Sequence, residues 1–126
     1  MNDLFLKVAA ATPDIRVADP DYNTEHIIEC MQKANTEHAK LLVLPELCLT
    51  GYTCGDLFLQ KALLDGAISG LNRIRKVSAN MDMMTIVGLP FSYMNRLYNV
   101  AAVVFHGEVI SVSYTHLRAH ETRSNL

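Results

Sequence analysis

Residues 41–58 read LLVLPELCLTGYTCGDLF and are the most informative part of this sequence. The stretch begins with apolar residues, Leu41 to Leu44, which predict a short buried strand. Pro45 ends that strand, because its fixed φ angle also restricts the backbone of the residue before it. The next residue, Glu46, carries a carboxylate, and the Pro, Thr, Gly and Asp residues within 45–56 are typical of a loop. The sequence therefore predicts a buried strand that ends at a loop presenting Glu46.

The composition is that of a globular protein with one domain. The chain has 126 residues, of which 50% are hydrophobic and 19% are charged, so it can bury roughly two-thirds of its unfolded surface. Its formal net charge of −2 gives no basic footprint, so we expect neither nucleic acid nor a membrane surface as a partner. No apolar run is long enough to span a bilayer, and the amino terminus lacks the positive charge of a signal peptide. We therefore expect a cytoplasmic protein.

Alternating strand and helix signals predict an α/β layered fold, with helices packed on a sheet. The expected elements are a strand at 4–12, a helix from Asp19-Pro20 to about His38, a strand at 41–44, a helix at 59–77, a strand at 85–91 and a hairpin at 96–112 that turns at His106-Gly107. The second helix should bury Leu64, Ala67, Ile68, Leu71 and Ile74. Gly66 and Gly70, on the same helix, are interpreted as a site of close packing.

The last fourteen residues, SYTHLRAHETRSNL at 113–126, show neither helical nor alternating periodicity. We therefore divide the chain into a domain at 1–112 and a non-native or aberrant tail at 113–126; the alternative is a genuine divergent loop. His116, His120 and Glu121 in this tail have a spacing that could bind a metal, but the HExxH order is missing. The prediction is that the protein has no metal site.

Three residues near the loop are candidates for chemistry. In parallel α/β sheets, functional residues lie just past the carboxyl ends of strands, where Glu46 could act as a general base. The alternative is a solvated loop glutamate. Cys48 and Cys54 could each be a nucleophile, but a cysteine in an apolar run is more often inert packing. The three cysteines, which include Cys30, have irregular spacing and are expected to be reduced thiols.

The residues around Glu46 carry a resemblance to a known family. The segment LLVLPELCLTGY (41–52) resembles the signature of the carbon–nitrogen hydrolase, or nitrilase, superfamily, in which a strand ends on proline and the catalytic glutamate. The segments KVAAATPDI (7–15) and YNVAAVVFHGEVI (98–110) are similar to other strands of these enzymes. The segment GYTCGDLFLQKALLD (51–65) resembles the glutaminase domain of glutamine-dependent NAD synthetases.

The resemblance implies the N-terminal portion of a nitrilase-type αββα sandwich, incomplete in this chain. It implies that Glu46 is the general base of a Glu-Lys-Cys triad and that Tyr52 lies in the substrate pocket. The substrate would be L-glutamine, and the ammonia released would serve a synthetase domain of the same polypeptide. ATP and Mg²⁺ would belong to that missing domain, whereas the glutaminase part would need no cofactor. The intact protein would be a homo-oligomer.

The chain departs from the family pattern in one important place. Tyr114 stands where the family has its lysine, and the cysteine strand is absent, so the triad lysine and cysteine are not present in this chain. We therefore expect these 126 residues alone to be inactive. Two alternatives remain open: a stand-alone amidase of the same superfamily, and a non-catalytic α/β binding module in which Glu46 is a surface residue.

Overall fold

Within residues 6–51 and 61–116, which the computed structural model describes, five strands form one mixed sheet. The strands are β1 (Val8–Ala10), β2 (Leu41–Val43), β3 (Met84–Tyr93), β4 (Arg96–Phe105) and β5 (Glu108–His116). Their order across the sheet is their order along the chain. The first three strands are parallel, whereas β3, β4 and β5 are antiparallel neighbours. The predicted α/β architecture, with helices packed on a sheet, is confirmed.

The first helix, α1 (Pro20–Thr36), begins where the sequence predicts. The Asp19 side chain caps it by accepting a hydrogen bond from the Tyr22 backbone N–H at 3.1 Å, and Pro20 occupies the first turn, where its missing N–H costs nothing. The helix ends two residues before the expected His38. The reason is that His38 has a φ of 65°, which a right-handed helix does not allow.

The second helix, α2 (Lys61–Val77), buries a somewhat different face from the one predicted. Leu63 is buried with Ala67, Gly70 and Ile74, whereas the predicted Leu64, Ile68 and Leu71 are only partly buried. The difference arises because the glycines of α2 face α1. A Cβ on Gly66 would lie 3.1 Å from Pro20 Cγ, and a Cβ on Gly70 would overlap Thr24 Oγ1. The interpretation of these glycines as a close-packing site is confirmed.

Both helices contribute to a core on one face of the sheet. The neighbouring pairs Val87–Ala102 and Leu89–Val100 of β3 and β4 are fully or almost fully buried. They share one hydrophobic cluster with residues of both helices, namely Ile27, Met31 and Ile74. On the opposite face, apolar side chains such as Val8, Val43 and Met84 are partly exposed.

The predicted turn at His106-Gly107 is confirmed, and the end of α2 holds it in place. Both residues have positive φ, 49° and 84°, as tight hairpin turns require. The Gly107 N–H donates to Ser78 Oγ at 2.9 Å, and the Arg75 guanidinium donates to the Gly107 carbonyl at 2.8 Å. These bonds fix the position of the hairpin relative to the helix layer.

The strand β5 continues four residues beyond Val112, to His116. Ser113 pairs with Ala101, and His116 pairs with Tyr98, so the expectation that regular structure stops at Val112 is wrong for these four residues. Strand pairing depends on context more than on local pattern, and β4 is long enough to pair with all of them. Residues 117–126 lie outside the described ranges, and the non-native origin of 113–126 stays a prediction.

A buried asparagine in α1 connects two loops to the helix. Asn23 is fully buried. Its side-chain NH₂ donates to the Arg16 carbonyl at 2.8 Å and to the Leu49 carbonyl at 3.0 Å, and its oxygen accepts from the Arg16 N–H at 2.7 Å. Leu49 lies three residues after Glu46, so Asn23 also helps to hold the loop that carries the carboxylate.

We expect Asn23→Ala to lower the free energy of unfolding by on the order of 3 kcal/mol, because it leaves buried backbone groups without partners. Urea denaturation followed by circular dichroism measures this loss. Gln32→Ala, an exposed change on the same helix, is the control and should change the stability by less than about 0.5 kcal/mol. Equal stabilities of the two variants would contradict the role of Asn23.

Candidate active site

Glu46 lies where the sequence places it, just past the carboxyl end of a parallel strand. Its strand, β2, pairs with β1 on one side and β3 on the other. One further hydrogen bond, from the Leu44 N–H to the Ile86 carbonyl at 3.1 Å, extends the pairing beyond β2. The chain leaves the sheet at Pro45, which has no N–H to donate. Glu46 is therefore among the first residues free of the sheet.

The loop after Glu46 contains a backbone conformation that its residue types do not predict. Leu47 has a φ of 53°, in the left-handed region that costs a residue with a Cβ roughly 1–2 kcal/mol. Its carbonyl accepts hydrogen bonds from the N–H groups of Thr50 and Gly51, and its side chain is buried. This turn reverses the chain directly after Glu46. Glu46 therefore stays next to the carboxyl end of the strand.

Gly88, in the middle of β3, allows the loop to approach the sheet closely. A Cβ at this position would overlap the backbone nitrogen of Leu47 and would lie 3.0 Å from both the Glu46 carbonyl carbon and the Pro45 oxygen. The Gly88 carbonyl also accepts a hydrogen bond from the Leu49 N–H at 3.1 Å. Backbone therefore packs directly on backbone here, which only glycine permits.

The Glu46 side chain lines a cavity of about 180 Å³ on the sheet face away from the helices. By strand alternation, the sheet residues that contribute side chains on this face are Ile86, Asn99, Ala101, Ser113 and Thr115. The polar groups of the cavity are thus a carboxylate, a primary amide and two hydroxyls. Tyr52, the predicted pocket residue, lies outside the described residues.

Glu46 is joined to the sheet by a short hydrogen bond. The Asn99 side-chain NH₂ donates to Glu46 Oε1 at 2.6 Å. The sequence pattern assigned no role to Asn99 or to Gly88. The usable signal for Asn99 is the hairpin register, because the pairing of β3 with β4 places it opposite Pro90, at the end of the sheet where the Glu46 loop begins.

The ring of Tyr114, the residue that the resemblance aligns with the lysine, lies on the other face of the sheet from the Glu46 side chain. Its ring packs edge-on against Tyr98, with 5.3 Å between ring centroids. Tyr98 and Asn99 are consecutive on β4, so their side chains point to opposite faces of the sheet. Among residues 6–51 and 61–116, the salt bridges do not include Glu46. The described residues thus supply a carboxylate but no cation beside it.

The Cys48 thiol is a packing group in this structure. It is fully buried, and its Sγ donates a weak hydrogen bond to the Gly88 carbonyl at 3.7 Å. Burial raises the pKa of Cys48 from 9.0 to about 11, which disfavours the nucleophilic thiolate. These observations favour the inert-packing interpretation of Cys48. Cys54, the other cysteine considered as a nucleophile, lies outside the described residues.

Other features of the described residues offer less chemistry. In a cavity of about 450 Å³ beside α2, the two charged groups, Lys61 and Asp65, form a salt bridge with each other at 2.8 Å. Another cavity of about 300 Å³, on the helix side of the sheet, is lined by Phe91, Tyr93, Tyr98, Val100, Val112 and Tyr114, none of which is an acid or a base near neutral pH. No cluster of metal-ligating side chains occurs within 6–51 and 61–116, and His120 and Glu121 fall outside these ranges. Neither α1 nor α2 has the length and apolarity that a membrane span needs.

Comparison with known proteins gives a family match over almost the whole chain. The model of the carbon-nitrogen hydrolase family matches residues 7–125. Among curated proteins, the glutamine-dependent NAD(+) synthetase of Mycobacterium tuberculosis (strain H37Rv) is 34% identical over 108 residues, which are 86% of this chain. The corresponding synthetase of Aquifex aeolicus is 32% identical over 112 residues, or 89% of this chain.

Solved structures give the same picture of the fold. A glutamine-dependent NAD(+) synthetase from Cytophaga hutchinsonii matches 94% of this chain with a TM-score of 0.82 and 28% identity. An amidase from Nesterenkonia sp. matches 85% of it with a TM-score of 0.72 and 25% identity. The chain spans 16% of the mycobacterial relative, 21% of the Cytophaga chain and 41% of the amidase.

We expect Gly88→Ala to lower the free energy of unfolding by about 2 kcal/mol or more, because the added methyl group forces two backbone segments apart. Urea denaturation measures the loss, and amide chemical shifts of Glu46 and Leu47 report the displaced loop. Ser92→Ala, an exposed change on the same strand, is the control. Unchanged stability together with unchanged shifts in Gly88→Ala would show that the close approach is not required.

Titration of Cys48 should make the fold less stable in alkaline solution. The folded-state pKa of about 11 lies above the ordinary 9.0, so the protonated thiol contributes to the stability of the fold. This contribution is fully present below pH 9 and is lost as the pH rises through 11. Between pH 9 and pH 11, wild type should lose about 2 kcal/mol more unfolding free energy than Cys48→Ala. Denaturation under reducing conditions at both pH values tests this, and parallel losses would refute it.

Proposed function

Because the chain belongs to the carbon–nitrogen hydrolase family, we propose that it is the N-terminal part of the glutaminase domain of a glutamine-dependent NAD synthetase. The observation that carries this proposal is the position of Glu46, whose carboxylate lines a cavity at the carboxyl end of a parallel strand. The curated relatives support the choice of activity, since those quoted above share this name and match most of the chain.

In the proposed reaction, Glu46 acts as the general base towards a cysteine thiol and as the general acid towards the leaving group. The thiolate attacks the side-chain amide carbon of L-glutamine, and a lysine stabilises the oxyanion that forms. The carbon–nitrogen bond then breaks, Glu46 passes its proton to the departing ammonia, and a thioester remains. Water cleaves the thioester, giving glutamate and restoring the thiol.

The geometry of Glu46 suits this exchange of protons. The carboxylate is exposed to the cavity, so a substrate can reach it, and Asn99 holds one of its two oxygens. The buried thiol of Cys48 is a poor candidate for the nucleophile, and Tyr114 cannot replace a cation. We therefore propose that the cysteine and the lysine come from other parts of the complete protein, and that the 126 residues alone are inactive.

The proposal extends to the rest of the complete protein. The ammonia would serve a synthetase domain on the same polypeptide, which would use ATP and Mg²⁺ to amidate nicotinic acid adenine dinucleotide. Tyr52 would contribute to the glutamine pocket. We further propose a cytoplasmic location and a homo-oligomeric assembly for the intact protein.

One alternative keeps the chemistry but changes the substrate. The match to the Nesterenkonia amidase covers 85% of this chain, so the same five-stranded sheet also suits a stand-alone amidase. The two functions differ in what the complete protein hydrolyses. A preference for small aliphatic amides over glutamine, without NAD formation, would favour the amidase. The family match argues against the third possibility, an unrelated binding module.

The test of the proposed function is Glu46→Gln in the complete polypeptide that carries this sequence. We expect the variant to lose glutamine-dependent NAD formation by a factor of roughly 100 or more, since a general base contributes on the order of 10²–10⁴-fold. NAD formation from added ammonium salt should stay within about twofold of wild type, because the proposed mechanism gives Glu46 no part in that step. Equal loss of both activities would assign Glu46 a structural role instead.

A further inference from the structure

We propose that Asn99 is a positioning residue for Glu46, which it holds in the orientation needed for proton transfer. This inference rests on the proposed role of Glu46 as the general base. The observation behind it is the hydrogen bond of 2.6 Å from the Asn99 side-chain nitrogen to Glu46 Oε1. The two residues are 53 positions apart in the sequence, so the contact depends on the tertiary fold.

Asn99 is well placed to fix the position of another side chain, because its strand is paired with a neighbour on each side. It lies on β4, opposite Pro90 of β3 and opposite Thr115 of β5. A side chain on a strand with two neighbours is held more rigidly than one on a loop. Glu46, in contrast, lies on a loop and is followed by the left-handed Leu47. The hydrogen bond therefore restrains a loop carboxylate by linking it to a residue of the sheet.

The chemistry of a primary amide suits this position. The Asn99 nitrogen donates hydrogen bonds and cannot accept a proton near neutral pH, so it steadies Oε1 without competing for the transferred proton. Among the hydrogen bonds of the described residues, Glu46 Oε2 has no donor. One carboxylate oxygen is thus held by the sheet, and the other stays available to take up and release a proton.

An aspartate at this position provides a sharp test, because it keeps the volume of asparagine but loses the donor. Asn99→Asp would place a second carboxylate against Glu46, and the two negative charges would repel each other. Asn99→Ala removes the donor and leaves space. If Asn99 only filled volume, Asn99→Asp would be the milder change. If the N–H donor matters, both variants should be impaired.

The first measurement tests the contact in the 126-residue chain itself. In ¹³C- and ¹⁵N-labelled protein, Glu46→Gln should shift the side-chain NH₂ resonances of Asn99, and Asn99→Ala should shift the side-chain carboxyl resonance of Glu46. Ser111→Ala, a change on β5 outside the cavity, should shift neither. Unchanged resonances in the two reciprocal variants would overturn the contact, and with it the proposal.

The second measurement is steady-state glutamine hydrolysis by the complete polypeptide. We expect Asn99→Ala and Asn99→Asp to lower kcat by about 10- to 100-fold, the effect of a slightly misplaced catalytic group. KM should change by less than about threefold, since Asn99 does not act through substrate binding. Ser111→Ala should keep the wild-type kcat. Wild-type kcat in Asn99→Asp would overturn the proposal.

A double variant separates this inference from the proposed function. If Asn99 acts through Glu46, Glu46→Gln/Asn99→Ala should be no slower than Glu46→Gln alone. If instead the fold-loss in kcat of the double variant equals the product of the two single losses, Asn99 acts independently of Glu46, and the positioning role is refuted. If Glu46→Gln itself hydrolyses glutamine at the wild-type rate, the proposed function fails, whereas a wild-type rate in the Asn99 variants alone defeats only this inference.

Discussion

The close approach of two backbone segments at Gly88 is the constraint on which the site depends. Because Gly88 has no side chain, the chain at 45–47 can lie directly against β3. The same glycine accepts hydrogen bonds from the Leu49 N–H and the Cys48 thiol. One residue thus provides both the space and the polar partners that keep the loop on the sheet. Any larger residue would move the loop, and Glu46 would move with it.

The loop is also held from the helix layer, so its position is fixed from two sides. Asn23 of α1 donates to the Leu49 carbonyl, and the Leu49 N–H donates to β3. A left-handed leucine at position 47 is unfavourable by itself, and such conformations persist only where the surroundings enforce them. Here the enforcing contacts come from α1 and from the centre of the sheet, which explains how a strained turn can hold a carboxylate in one place.

The elements with a strong local pattern could be predicted from the sequence. The Asp19-Pro20 start of α1, the strand that ends before Pro45 and the His106-Gly107 turn each follow from side-chain chemistry that acts on nearby backbone. Glu46 could be singled out because it follows such a strand. The continuation of β5 to His116 could not be predicted, since it depends on a partner strand rather than on its own residues.

The roles of Gly88 and Asn99 beside Glu46 could not be predicted either, because they too depend on distant partners. Gly88 gains its role only when the loop lies across it, and Asn99 gains its role only when the hairpin register brings it to the loop. Neither relation leaves a periodic pattern in the sequence, because the partners are more than 40 residues apart. The buried face of α2 differs from the predicted one for a related reason: the sequence marks Gly66 and Gly70 as a close-packing site but does not show that their partner is α1.

The sequential order of the five strands has a consequence for synthesis on the ribosome. Each strand from β2 onwards pairs with the strand that was made just before it. A chain that emerges from its amino end can therefore extend this sheet one strand at a time, without waiting for a distant segment or opening pairs already formed. The platform beneath Glu46 could in this way be assembled while later parts of the polypeptide are still being translated.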